Sequence, residues 1–227
     1  MTQLPDLDVL DADGAIRDCA EAAGLDRSDF LKKGVLAGGG LLAGNALFGA
    51  HLSPAQAAIS SRRSKRNDVK ILNYALTLEY LEAEFYKQAV AANAAGDNAA
   101  LRTFAEVVAR HELQHVRFLQ RALGSAAVSA PTFDFGNEVE GPENFARIAQ
   151  ELEDTGVRAY LGQVGNISNP AVLSAAGTIA TVEARHAGWI RIINGAVPAP
   201  DDFDRPRSER DTLWEVADTG YFVTMPK

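Results

Sequence analysis

The chain has one cysteine in 227 residues, Cys19, and it lies in a segment that we expect to be removed. A mature chain without cysteine can form neither disulfide bonds nor thiolate ligands, so any metal must be bound by oxygen and nitrogen. The alternating pattern typical of strands is also missing, which predicts an all-α fold. Positive charge is not in excess, because the formal net charge is −8, and we therefore expect no nucleic-acid partner.

The first 57 residues have the three parts of an export signal. Two lysines precede the apolar, glycine-rich stretch 34–50, and Ala55-Gln56-Ala57 follows it as a cleavage site. A twin-arginine-like motif lies upstream, with Ser28 in place of the second arginine. The apolar stretch is shorter than the roughly 20 residues of a membrane helix. We expect cleavage after Ala57, no stable membrane span after processing, and a protein in the periplasm, the cell envelope or outside the cell. An uncleaved anchor is the alternative.

A basic linker is expected at residues 58–66, and four stretches of helical periodicity follow it. They predict a single bundle over residues 67–194, with helices at 68–95, 98–123, 142–164 and 170–194. Asn67 or Asp68 is the expected N-cap of the first helix. A short turn at Gly96 makes the first two helices antiparallel neighbours.

Two longer segments have no helical pattern. Residues 125–142 are interrupted by proline and glycine, and they are long enough to carry the chain from one end of a bundle to the other. Residues 195–227 begin with prolines and acidic residues that cannot continue a helix. We expect them to form a C-terminal extension packed on the bundle, with anchors at Leu213, Trp214 and Phe222.

One spacing of a carboxylate and an imidazole occurs twice in the predicted helices. It is seen in Glu112-Leu113-Gln114-His115 and again in Glu183-Ala184-Arg185-His186. Residues three apart on a helix share a face, so each pair can bind one metal ion. In di-metal bundles two helices supply such pairs, and the other two each supply a lone glutamate.

The lone glutamates are Glu79 before the first pair and Glu153 before the second, each with a tyrosine seven residues later. This is an internal repeat in which the chemistry is duplicated. The two tyrosines, Tyr86 and Tyr160, are either ordinary interior residues or hydrogen-bond donors to the carboxylates of the opposite site. In the second reading we expect them to steady the bridging carboxylates.

The candidate ligands lie among apolar residues, where an unpaired buried charge costs several kcal/mol. Two divalent cations would offset four glutamates, so we predict two divalent metal ions per chain. Carboxylates with histidine suit iron best here, with manganese and zinc as alternatives. Glu82, one turn after Glu79, could turn toward the metal pair as a ligand, but we expect it to lie beside the ligands rather than among them.

These residues resemble the ferritin-like superfamily of di-iron carboxylate proteins, and in particular its exported or desiccation-related branch. The resemblance covers roughly residues 67–194 and extends to Pro200-Asp201-Asp202-Phe203-Asp204 in the tail. It implies a four-helix bundle with one long crossover. It also implies that the lone carboxylates are Glu79 and Glu153, the bridging carboxylates Glu112 and Glu183, and the terminal imidazoles His115 and His186.

The chain departs from similar peroxidases at Gly156, where they carry a further glutamate. A glycine in the middle of a helix reduces stability by roughly 1 kcal/mol relative to alanine. Its presence at position 156 therefore indicates that the absence of a side chain near the metal pair has a role. We expect either an open coordination position for oxygen or peroxide, or close helix packing.

His111-Glu112-Leu113-Gln114-His115 also matches the H-E-x-x-H motif of zinc peptidases. That motif leaves the second Glu-x-x-His pair unexplained, and the di-metal reading predicts that His111→Ala does not weaken metal binding. Three functions remain: an oxygen- or peroxide-using enzyme, an iron(II) ferroxidase or store, and a non-catalytic, metal-stabilised stress or desiccation-related protein. The expected partners are oxygen, peroxide or iron, and a homo-oligomer remains open.

Overall fold

The structure is a computed structural model that describes residues 58–224. The predicted export signal and Cys19 lie outside the described residues. Within these residues, five helices and two very short strands are connected in chain order, with single 3₁₀ turns between some of them. The elements are α1 Lys65–Ala91, α2 Ala99–Leu123, β1 Thr132–Phe133, α3 Pro142–Gln163, α4 Pro170–Ile193, α5 Glu209–Asp218 and β2 Phe222–Thr224.

The predicted all-α class is confirmed, and most helix ends fall within a few residues of the expected positions. Asn98 and Asn169 are N-caps, because their side chains accept hydrogen bonds from backbone amides in the first turns of α2 and α4. Gly124 ends α2 with a positive φ of 56°. Helix α1 begins at Lys65 with Ser64 as its N-cap, so the prediction of Asn67 or Asp68 as the cap was wrong.

Asp68 instead joins two helices at one end of the bundle. Its carboxylate accepts hydrogen bonds from the backbone amides of Ser168 at 2.7 Å and Asn169 at 3.0 Å. These amides precede α4, so the first turns of α1 and α4 lie at the same end. At the other end, Gly96 in the α1–α2 turn lies beside Pro142, the first residue of α3.

These two contacts define the topology of the bundle. The first two helices run antiparallel, and the chain then crosses the length of the bundle before α3 begins. Helices α3 and α4 form the second antiparallel pair. The structure thus has the single long crossover that the sequence predicted. None of the helices within residues 58–224 is long and apolar enough to cross a membrane.

The crossover and the C-terminal extension meet in a two-stranded antiparallel sheet formed by β1 and β2. Strands of two and three residues are too short to give a periodic pattern, so the sequence predicts no strand at these positions. In the extension, Val216 and Tyr221 are buried, and Leu213 and Phe222 pack on the core. Trp214, which was expected to be an anchor, has 43% of its surface exposed.

Candidate metal centre

The four bundle helices bring all six predicted ligands together in the interior. The glutamates are fully buried, with 0% exposure, and His186 is 3% exposed. Each helix contributes in the way that its spacing predicted. The ligands are Glu79 from α1, Glu112 and His115 from α2, Glu153 from α3, and Glu183 and His186 from α4.

One group of potential metal ligands surrounds His115. Its Nδ1 atom lies 3.1 Å from Glu79 Oε2, 3.0 Å from Glu112 Oε2 and 3.0 Å from Glu183 Oε1. Three carboxylate oxygens and one imidazole nitrogen thus face a common point, and they can hold a metal ion.

A second group has the same composition around His186. Its Nδ1 atom lies 3.2 Å from Glu112 Oε1, 3.2 Å from Glu153 Oε2 and 3.8 Å from Glu183 Oε2. The ligand atoms of this group also lie close enough to hold one metal ion. The two ligand groups therefore have the same composition, as the internal repeat of the sequence predicted.

Glu112 and Glu183 belong to both groups, and each offers a different oxygen to each group. Glu112 directs Oε2 to His115 and Oε1 to His186, whereas Glu183 directs Oε1 to His115 and Oε2 to His186. A carboxylate so placed can bridge two cations. The remaining carboxylates, Glu79 and Glu153, each belong to one group only.

The hydrogen bonding of these atoms fits a pair of cations. Buried polar atoms normally have hydrogen-bond partners, and those that lack them need an explanation. Among the described residues, several buried atoms without a hydrogen-bond partner belong to this cluster: Glu112 Oε1, Glu153 Oε2, both carboxylate oxygens of Glu183 and His186 Nδ1. Metal ions would satisfy these atoms, because each of them belongs to a candidate ligand group.

The pKa values of the centre are strongly perturbed. Burial and then the charge of Glu183 raise the pKa of Glu112 well above its usual range. Burial, reinforced by Glu183 and opposed by His186 and Tyr86, raises the pKa of Glu153 to about 7. Burial alone would lower the pKa of His186, but the neighbouring carboxylates of Glu112, Glu153 and Glu183 raise it to about 12. Without a cation, protons therefore balance much of the carboxylate charge.

We expect metal affinity to rise with pH. A metal ion must displace the protons of Glu153 and His186, because only deprotonated groups are ligands. With pKa values of about 7 and about 12, both groups hold protons below pH 7, and Glu153 loses its proton above it. Affinity should increase about tenfold per pH unit for each proton released. Chelator competition with Zn²⁺ at pH 6, 7 and 8 measures this slope, and an affinity independent of pH would contradict it.

Each predicted tyrosine reaches across the bundle to a carboxylate of the opposite repeat. Tyr86 donates a hydrogen bond to Glu153 Oε1, and Tyr160 donates one to Glu79 Oε1, each at 2.5 Å. The hydrogen-bonding reading of the tyrosines is therefore the one that the structure supports. Their partners are the lone carboxylates, so the expectation that they steady the bridging carboxylates was wrong.

The space beside Gly156 contains the carboxyl group of Glu82. A Cβ atom at Gly156 would lie 3.1 Å from Glu82 Oε1 and 3.5 Å from Glu183 Oε2. Glu82 is buried, and its burial and the charges of Glu183 and Glu153 raise its pKa well above the usual range. The glycine on α3 thus makes room for a carboxyl group on α1 beside the metal ligands.

His111 belongs to neither group of potential ligands within residues 58–224. Its Nδ1 atom lies 2.8 Å from His186 Nε2, and Glu112 takes part in both groups rather than standing apart as a general base. This geometry does not support the zinc-peptidase reading. The contact between His111 and His186 could not be predicted from the sequence, although His111 lies one helical turn before His115.

The comparison with known proteins agrees with the fold and the centre. A family model described as a ferritin-like domain matches residues 67–196, which is more than half of the chain. No match was found among curated proteins. With its four-helix bundle, its long crossover and its matched residues, the chain belongs to the ferritin-like domain family.

Proposed function

We propose that this protein is an exported, ferritin-like di-metal carboxylate protein, and that its metal pair is iron. In this proposal the centre reacts with oxygen or peroxide, or oxidises iron(II), in a role that protects against stress. The observation that supports it is the pair of overlapping ligand groups that share Glu112 and Glu183. Similarity of the tail residues 200–204 to the exported or desiccation-related branch supports the stress role.

Bound iron would supply the electrons for reduction of oxygen or peroxide. The residues of this chain provide the setting for that chemistry. Four carboxylates balance the charge of two divalent cations, and a buried centre strengthens electrostatic interactions by excluding water. Tyr86 and Tyr160 hold the lone carboxylates, Glu153 and Glu79, by hydrogen bonds from outside the ligand set.

Two metal ions per chain are the expected stoichiometry. Elemental analysis of the purified protein, produced without residues 1–57, measures it directly. His115→Ala and His186→Ala should each weaken binding, because each removes the only nitrogen donor of one group. Exposed Gln114→Ala on the same helix is the matched control. Retention of two tightly bound ions by both histidine variants would overturn the assignment.

Reactivity separates the enzymatic function from a structural one. The protein is loaded with iron(II) without oxygen and is then mixed with oxygen or peroxide in a stopped-flow spectrometer. Oxidation faster than that of free iron(II) is the expected result. If the protein binds two metal ions that raise its melting temperature but does not accelerate oxidation, the non-catalytic, metal-stabilised function is supported instead. Size-exclusion chromatography identifies an iron store, which needs a closed cage of many subunits.

Export is proposed from the apolar stretch 34–50 and the Ala55-Gln56-Ala57 sequence. We expect the mature protein in the periplasm or cell envelope to begin at residue 58. N-terminal sequencing of that protein tests the cleavage. A mature form that begins at Met1 would contradict it.

A further inference from the structure

Two histidines that lie outside the first ligand group, His111 and His186, are in direct contact. His111 Nδ1 and His186 Nε2 are 2.8 Å apart, and the two rings meet edge to edge, with centroids 5.1 Å apart and an angle of 22° between their planes. His111 comes from α2 and His186 from α4, so the contact joins two helices. His111 is partly exposed, whereas His186 is buried.

This contact bears on how His186 can bind a metal. A neutral imidazole has one nitrogen that carries hydrogen and one that accepts. The Nδ1 atom of His186 faces carboxylate oxygens of Glu112 and Glu153, each at 3.2 Å, so it is the atom placed to bind a metal. The hydrogen must then be on Nε2, where it can be donated to His111 Nδ1.

We propose that His111 is a positioning residue for His186. By accepting the Nε2 hydrogen, it fixes the tautomer and ring orientation in which His186 Nδ1 is a free donor. Partners of this kind on metal-bound histidines are typically worth 10- to 100-fold in metal affinity. The inference rests on the proposed function, because it requires that a metal ion binds the second ligand group.

The first ligand group differs in this respect. Among residues 58–224, the hydrogen bonds of His115 involve its Nδ1 atom, with Glu79 and Glu112. His111 thus supports the second group and leaves the first unchanged. The two metal positions are therefore unequal, although their ligand sets have the same composition. Loss of His111 should weaken one of the two binding steps, contrary to the prediction from the sequence that His111→Ala leaves metal binding unchanged.

The test is a Co²⁺ titration of the metal-free protein, followed by calorimetry and visible absorption. Wild type should bind two ions in two steps. His111→Phe keeps an aromatic ring but removes the acceptor, and it should weaken one step 10- to 100-fold. His111→Gln supplies an amide oxygen and should restore most of that loss. Gln114→Ala, at an exposed position of α2, should bind as wild type does.

Nitrogen-15 NMR of the imidazoles gives a second readout. In wild type with diamagnetic Zn²⁺ bound, His186 should carry its hydrogen on Nε2, and the resonance of that group should shift in His111→Phe. If wild type binds two ions and His111→Phe binds both with unchanged affinity, the inference about His111 is overturned and the proposed function is not. Failure of wild type to bind Co²⁺ would overturn the proposed function as well. Equal weakening of both steps, or no rescue by glutamine, would also contradict the positioning role.

Discussion

Glu183→Ala is expected to abolish binding of both metal ions, whereas Glu153→Ala should abolish binding of one. The reason lies in how the two ligand groups overlap. Glu183 directs one carboxylate oxygen to each group, so its loss removes a donor from both. Glu153 belongs to the second group only, so the first group keeps its three oxygens and its nitrogen. A bridging residue and a lone residue thus differ in the number of ions lost.

The measurement is the number of Zn²⁺ or Fe²⁺ ions bound per chain after dialysis, with Glu112→Ala and Glu79→Ala as the matching pair. Glu112 also directs one oxygen to each group, and its variant should behave like that of Glu183. The Glu79 variant should lose the ion of the first group. Equal loss in all four variants would show that the two positions bind only together, and equal retention would contradict the bridging arrangement.

Thermal unfolding of the metal-free variants separates metal binding from folding. Like charges buried together destabilise the metal-free fold, and burial raises the pKa of several of these carboxyl groups. Removal of Glu112 should therefore leave the metal-free melting temperature unchanged or raise it. Removal of Glu183 should lower it, because His115 and His186 lower the pKa of Glu183 to about 2 despite its burial. The metal-induced rise in melting temperature should disappear in Glu183→Ala. A large fall in the stability of metal-free Glu112→Ala would mean that this carboxylate has a structural role of its own.

The ligand positions could be predicted from the sequence because they depend on local periodicity. Helical spacing places Glu112 and His115 on one face whatever the rest of the fold does. The duplication of this pattern identified Glu79 and Glu153 as well. The observed caps of α2 and α4, Asn98 and Asn169, are local in the same way, since each side chain accepts a hydrogen bond from an amide in the first turn of its own helix.

What the sequence could not supply was the partner of a side chain across the bundle. Spacing gives the face of a helix, but the rotation and stagger of neighbouring helices decide which groups meet. Tyr86 therefore had two possible carboxylate partners, and only the packed structure identifies Glu153. Asp68 was expected to be a local cap, yet its carboxylate accepts hydrogen bonds from amides 100 and 101 residues away. The sheet between the crossover and the tail was not predicted because its strands, of two and three residues, are too short to give a periodic pattern.

Gly156 shows how such a contact changes a prediction. The sequence indicated that space is wanted beside the metal pair, and an open position for oxygen was one reading of that space. The structure places Glu82 there, 3.1 Å from where a Cβ atom of residue 156 would lie. That distance is tighter than ordinary contacts, so even alanine requires a shift of the Glu82 carboxyl group. A leucine requires a much larger displacement among buried groups.

Gly156→Leu is accordingly expected to destabilise the protein by about 1 to 3 kcal/mol, the usual cost of overpacking a core, and to disturb metal binding. Gly177→Leu is the matched control, because Gly177 is also within a helix and a Cβ atom there would meet nothing within 4 Å. Removal of the Glu82 side chain should reduce the loss of stability. In the smaller variant Gly156→Ala, we expect the additional change Glu82→Ala to restore stability, because the new methyl group could then occupy the space that Glu82 leaves.

The same variants test whether Glu82 contributes to reactivity. If the centre only needs the space, Glu82→Ala should oxidise iron(II) at the wild-type rate under stopped-flow conditions. If the buried carboxyl group takes part, oxidation should slow in Glu82→Ala and in Gly156→Leu, but not in Gly177→Leu. We expect the second result, because Glu82 is buried beside four ligand carboxylates whose charges raise its pKa. A wild-type rate in Glu82→Ala would restrict Glu82 and Gly156 to helix packing.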